Sequence, residues 1–218
     1  MEQEVLSYSL LEMATKGGWI MIVLAILSLV AIYIFGKKLW LITKASKIDR
    51  YFMNDIQDYM NAGKIQSAKT LCAKFDSPIA RMVEKGIDHR SKSPQEVQTA
   101  MENVGNVEIA RIEKGLSGLA SIAGGAPMLG FLGTVTGMIR AFFNMANSGN
   151  NVDITLLSGG IYEAMVTTVG GLIVGIVAYF AYNFLVGRVS SLTAGMDTAT
   201  MDMIDILETL PTDVEEIE

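Results

Sequence analysis

Residues Ile154–Val186 read ITLLSGGIYEAMVTTVGGLIVGIVAYFAYNFLV, and Glu163 is the only charge among them. At about 1.5 Å of rise per residue, a helix of this length crosses a hydrocarbon core about 30 Å thick. A carboxylate there costs about 2.5 to 3.5 kcal/mol on insertion scales, so such residues face a bundle interior or a wet path and mark ion routes. The stretch therefore predicts a membrane protein that moves something.

Two further runs carry no charge at all, Gly17 to Gly36 and Gly115 to Ile139. Half of the 218 residues are hydrophobic, only 18% are charged, and there are 21 Gly and 14 Met, with a mean hydropathy of +0.37. This is the profile of an integral membrane chain. The expected fold is all-α, with three transmembrane helices over 17–36, 115–143 and 159–187. The first run is read as a retained anchor, because acidic Glu2, Glu4 and Glu12 precede it and no small-x-small cleavage site follows.

Charge orients the chain. Of the 17 Lys and Arg, 14 lie between Lys37 and Lys114, which places that segment in the cytoplasm by the positive-inside rule. An N-terminal segment 1–16 and a link over 144–158 then face the periplasm. An acidic tail over 188–218 returns to the cytoplasm, with no Lys or Arg after Arg188. The basic face is also suited to anionic lipid headgroups. Within 37–114, Ser77-Pro78 and Ser93-Pro94 each pattern as an N-cap with a first-turn proline, and Ser93 with Glu96 fits a capping box. With no proline between Pro94 and Pro127, one helix is expected to run from Pro94 into the second span.

Cys72 and His89 are the only Cys and the only His, so neither a disulfide nor a metal site is expected. No cofactor is expected either. Phosphate-binding loops, dinucleotide fingerprints and nucleophile elbows are missing from the sequence, so energy would have to come from an ion gradient. Neither an enzymatic nor a nucleic-acid-binding role is expected.

The second and third spans form a hairpin, so depth can be counted outward from Asn151. Thr134 lies 17 residues before it and Thr168 17 after; Arg140 lies 11 before and Glu163 12 after. A deep hydroxyl layer and a shallower charged layer result. Gly133 with Gly137 and Gly171 with Gly175 are small-xxx-small pairs that permit close helix approach, as does Gly130. Pro127 frees a backbone carbonyl in mid-span and is expected to break the helix or open a wet path. The threonines could equally bond back to carbonyls one turn earlier, and Glu163 could be a purely structural partner of Arg140.

The segment from Ala126 to Ile139, APMLGFLGTVTGMI, resembles the APxxGLxGTVxGxI signature of the ExbB/TolQ/MotA proton-channel family. Gly159 to Leu172, GGIYEAMVTTVGGL, is similar to that family's second signature, GIxEALxxTAxGL. The three-span layout resembles the ExbB and TolQ branches more than the four-span flagellar stators. The resemblance implies a homopentamer whose second and third spans line a central pore. It further implies two copies of an ExbD- or TolR-like single-pass partner in that pore, each with a protonatable Asp, and a TonB-like protein that receives the work. By the same resemblance, the implied setting is the bacterial inner membrane, and Thr134, Thr168 and Glu163 match pore positions. Thr167 replaces the family's usual small residue and shares Glu163's helical face better than Thr168 does, so which threonine lines the pore stays open. Arg140 lies outside the signature, and a tight pair would leave Glu163 a fixed charge rather than a carrier. The function expected is a proton-driven motor subunit energising TonB-dependent transport. The alternatives are a TolQ-like subunit of an envelope-maintenance or motility motor, or a non-conducting oligomeric scaffold.

Overall fold

A computed structural model describes residues 17–49, 51–147 and 154–209. The expected N-terminal segment, most of the interspan link's centre and the end of the acidic tail lie outside the described residues. All seven described elements are helices: α1 (Gly18–Ala45), α2 (Phe52–Asn61), α3 (Ile65–Lys74), α4 (Pro78–Asp88), α5 (Pro94–Glu113), α6 (Leu116–Asn147) and α7 (Ile154–Thr209). They divide into two compact units. One holds the chain up to Gly36 together with Gly115–Phe184; the other holds Lys37–Lys114 together with the chain from Leu185 onward.

In the first unit, α1 buries a single stripe through Ile20, Leu24 and Ala31, while Trp19, Ile22, Ile26, Leu29 and Ile32 are exposed. Met128, Phe131, Ile139, Ile176 and Phe180 are likewise exposed on α6 and α7. An apolar surface of this extent belongs in lipid or against other subunits. Among the described residues three helices are long and apolar enough to cross a membrane.

The contact between α6 and α7 leaves no room for side chains on one seam. A Cβ placed on Gly130 would stand 2.8 Å from the Thr167 carbonyl oxygen and 3.1 Å from Gly171 Cα; one on Gly171 would stand 2.6 Å from the Ala126 carbonyl oxygen. Gly137 meets Ala164 and Gly160 meets Ala141 in the same way. Pro127 lies against Gly175, whose Cβ would come within 2.6 Å of the proline Cδ. The expected break at Pro127 does not occur: α6 continues through it. One lost N–H bond is a small fraction of a long hydrogen-bond ladder, and the missing side chain at Gly175 accommodates the ring.

The second unit is built from short amphipathic helices. Phe52, Ile56 and Met60 on α2, Met82, Val83 and Ile87 on α4, and Val97 and Met101 on α5 are buried at helical spacing. α7 contributes Leu185, Val189, Leu192, Met196, Ala199 and Met203 to this core. Proline opens both α4 and α5 as expected, but the two serines differ. Ser93 Oγ accepts a long bond from the Glu96 N–H at 3.4 Å. Ser77 instead donates its hydroxyl to the Ala45 carbonyl at 3.0 Å, closing the end of α1.

The continuous helix expected from Pro94 into the second span is interrupted at Lys114. Gly115 takes φ +98°, a left-handed conformation that ends α5 and restarts the chain as α6. Ending a helix leaves carbonyls unpaired, and the buried Lys38 ammonium donates to the Ile112 carbonyl at 2.8 Å. Buried Glu108 is held between Arg81 at 2.8 Å and Arg111 at 3.1 Å, and Asp76 joins Arg81 at 2.8 Å to Lys44 at 2.7 Å. Paired in this way, a buried carboxylate avoids the penalty of an isolated charge.

Two outcomes follow. Replacing Gly171 by Ala should lower the midpoint of denaturant unfolding in detergent by the equivalent of about 1 to 3 kcal/mol, the usual overpacking cost, because its new Cβ meets the α6 backbone at Ala126 and Gly130. Gly36→Ala, inside α1 where nothing lies within 4 Å, should not lower the midpoint, since Ala favours the helix over Gly. Cys72 is buried, and burial first and Glu84 second push its thiol up to about 12. Since the thiolate is the reactive form, maleimide labelling across neutral to mildly alkaline pH should be slow in the folded protein and fast after denaturation.

Candidate functional site

Along the α6–α7 seam the side chains that do fit are polar at two levels. At the deeper level the Thr134 and Thr168 hydroxyls are in contact. Thr168 Oγ1 donates to the Gly130 carbonyl at 3.1 Å, and Thr134 Oγ1 reaches the same oxygen at 3.4 Å. These two hydroxyls therefore share a backbone acceptor that Thr167 also reaches. Because Gly130 has no side chain, its carbonyl is open to both. Each hydroxyl can donate and accept, so the pair can exchange donor and acceptor roles by rotation alone. Both threonines are half-buried.

Thr167 behaves differently. It is 1% exposed, its hydroxyl donates to the Ala164 carbonyl at 2.7 Å and reaches the Gly130 carbonyl at 3.4 Å, and it fills the space above Gly133. This is the back-bonded arrangement of a packing threonine. Its four-residue spacing from Glu163 does not bring it to the protomer surface, because the seam rather than the Glu163 side chain claims that part of α7.

At the shallower level Arg140 Nη1 donates to Glu163 Oε1 at 3.3 Å. The guanidinium side chain is 56% exposed and the carboxylate side chain 28% exposed, so the pair opens to the protomer surface. A third element also reaches it. Gly18, in the first turn of α1, has φ +65°, and a Cβ there would stand 2.5 Å from Glu163 Oε1. Glu163 thus lies between a cation on α6 and the N-terminal end of α1, both of which favour negative charge nearby. This contact spans 145 positions of sequence and had no local signal; the glycine just before an apolar helix was the only available hint.

Among the described residues no group of three or more His, Cys, Asp or Glu could hold a metal ion. The polar groups at these two levels are the threonine hydroxyls, the Glu163 carboxylate, the Arg140 guanidinium and the shared Gly130 carbonyl. Each of these groups can donate or accept hydrogen bonds, and the hydroxyls can do both.

Comparison with known proteins gives a consistent picture. Residues 74–198 match the MotA/TolQ/ExbB proton channel family. An ExbB homolog from Methanothermobacter thermautotrophicus is 29% identical over 182 residues, covering 83% of this chain and 64% of that protein. ExbB-like 1 from Synechocystis is 31% identical over 179 residues, 81% of this chain and 70% of its own length. The biopolymer transport protein ExbB of Neisseria gonorrhoeae is 41% identical over 93 residues, 43% of this chain and 42% of its own. The chain thus spans somewhat under two thirds of the archaeal relative and less than half of the gonococcal one. The family match covers more than half of the chain, including all of α6 and the part of α7 that bears Glu163, Thr167 and Thr168: this is a multi-pass membrane protein of the MotA/TolQ/ExbB proton channel family.

Proposed function

We propose that this chain is the channel-forming subunit of an inner-membrane motor that uses the proton motive force to drive a TonB-like protein. The observation that carries the reading is the paired Thr134 and Thr168 hydroxyls on the shared Gly130 carbonyl, set one level below the Arg140–Glu163 pair. A hydroxyl that exchanges donor and acceptor roles can receive a hydrogen bond from a protonated carboxylic acid and donate one to the deprotonated form. It therefore suits a site that a partner's membrane Asp passes in both states.

In this reading five copies place five such hydroxyl pairs around a pore that holds two single-pass, ExbD-like helices. The partner's Asp carries the proton. Arg140 and Glu163 set the local field above the threonine layer, and Thr167 keeps α7 seated on α6. The basic segment from Lys37 to Lys114 lies in the cytoplasm, the N-terminus in the periplasm and the chain after Arg188 in the cytoplasm. The ExbB names of the relatives favour the TonB-coupled branch over envelope maintenance or motility. The role requires no covalent chemistry by this chain.

The test uses the complex purified with its partner and reconstituted in liposomes, with proton uptake read under an imposed gradient. Thr168→Val should reduce flux by about tenfold or more, a barrier raised by about 1.4 kcal/mol, while the complex keeps its size. Thr167→Ala should do the reverse, lowering the unfolding midpoint by about 0.6 kcal/mol or somewhat more with flux largely retained. Normal flux in Thr168→Val would sink the hydroxyl-pair site. A loss confined to assembly would instead identify a scaffold. For the charged layer, Glu163→Ala should impair flux in assembled complexes, and the exchange Arg140→Glu with Glu163→Arg should restore more of it than either single change leaves. If both single variants match the unmodified complex, the charged layer has no part in conduction.

A further inference from the structure

In the unit that holds α4, α5 and the end of α7, a surface groove runs between α4 and α5. One section, of about 430 Å³, is lined by Lys85, His89, Ala100, Asn103 and Val104. It shares His89, Ala100 and Asn103 with a second section, of about 370 Å³, that extends to Lys92 and Glu96. Among the described residues neither the Lys85 nor the Lys92 ammonium has an ion-pair partner, whereas Lys44, Lys69, Arg81 and Arg111 all do. Val107, at the groove's edge, is 60% exposed. The groove thus carries two ammonium groups against one carboxylate, Glu96, over an apolar footing, and nothing described covers it.

The chain itself carries a complementary segment. Residues 210–218, outside the described residues, read LPTDVEEIE. They supply Asp213, Glu215, Glu216 and Glu218 without a single Lys or Arg, and place Val214 and Ile217 three apart. The direction of α7 brings this segment to the groove. A Cβ on Gly105 would meet Met196, and one on Gly86 would meet both Met101 and Met203. Advancing along α7 from Met196 to Met203 therefore moves towards the start of α5. The remaining six residues to Thr209 add about 9 Å in the same direction, which ends α7 near the His89–Ser93 connection at the groove's mouth. Nine residues beyond that point reach about 30 Å when extended, enough to turn the end of the helix pair and enter the groove.

We infer that the acidic segment 210–218 docks in the α4–α5 groove of its own chain, its carboxylates on Lys85 and Lys92 and its Val214 and Ile217 on the Val104–Val107 face. Tethering gives the segment an effective concentration on the order of millimolar, so individually weak, screened ion pairs suffice to hold it. The inference is independent of proton conduction, since it rests only on the charge and reach of this unit.

Zero-length carbodiimide coupling of the full chain in mild detergent, mapped by peptide mass, tests it directly. Coupling of Lys85 or Lys92 to Glu215, Glu216 or Glu218 within one chain is expected. Glu215→Lys with Glu216→Lys, which keeps both groove amines and the Glu218 carboxylate, should reduce coupling to Glu218 about tenfold, and adding Lys85→Glu with Lys92→Glu should bring coupling back with the partners exchanged. Acetylation supplies a second measurement: Lys85 and Lys92 should react several-fold faster in a chain ended after Thr209. Coupling that is absent, that ignores the charge reversal, or that joins isotope-labelled to unlabelled chains in a mixture overturns the inference. So do equal acetylation rates, the outcome if lipid headgroups or another protein occupy the groove.

Discussion

The polar layers of the membrane hairpin depend on two backbones approaching too closely for a Cβ between them. Gly130 faces Gly171 and the Thr167 carbonyl, and Gly171 faces the Ala126 carbonyl, at distances that only hydrogen at the α-carbon allows. In lipid the hydrophobic effect supplies little force to join two apolar helices, so close packing and interhelical hydrogen bonds must do so. Contact at this range lets one carbonyl, that of Gly130, accept from threonines on both helices. The same approach fixes the register and thereby sets Arg140 beside Glu163.

The seam also sorts the threonines by what surrounds them. Thr167 points into the contact and spends its hydroxyl on the Ala164 carbonyl; Thr168, one position on, turns far enough to meet Thr134. A rotation of about 100° between adjacent residues thus separates a side chain that holds the helices together from one that forms the shared hydroxyl pair. The second unit is held by different physics. Its helices bury ordinary apolar faces, and its charged groups pair around Glu108 and Asp76. Where α5 ends at Gly115, the Lys38 ammonium on the Ile112 carbonyl meets the need that the break creates.

Much of this was legible in the sequence because the membrane reduces the problem to one dimension. Two charge-free runs and a third that holds only Glu163 define the apolar helices, and a hairpin forces residues at equal counts from its turn to equal depth, which pairs Thr134 with Thr168 and Arg140 with Glu163. Counting along the chain cannot report azimuth, however. Thr167 shares a helical face with Glu163, yet the glycine seam, a property of two helices together, decides that it is buried. Gly115 looked like the start of an apolar run, and its left-handed conformation was masked by the helix-forming residues on either side. Pro127 looked like a break because the accommodating Gly175 lies 48 positions away. Neither the Gly18–Glu163 approach nor Ser77's bond to α1 has a local pattern, since each joins segments far apart in sequence.

The most direct test of the central claim is the mass and identity of what accompanies this chain when it is purified from native membranes in mild detergent. Five copies together with a single-pass protein that carries an Asp within its membrane helix is the predicted result, because in the proposed function the hydroxyl pair on Gly130 acts on a passing carboxyl group. A stable assembly recovered repeatedly without any such partner, under conditions that preserve other membrane complexes, would contradict it.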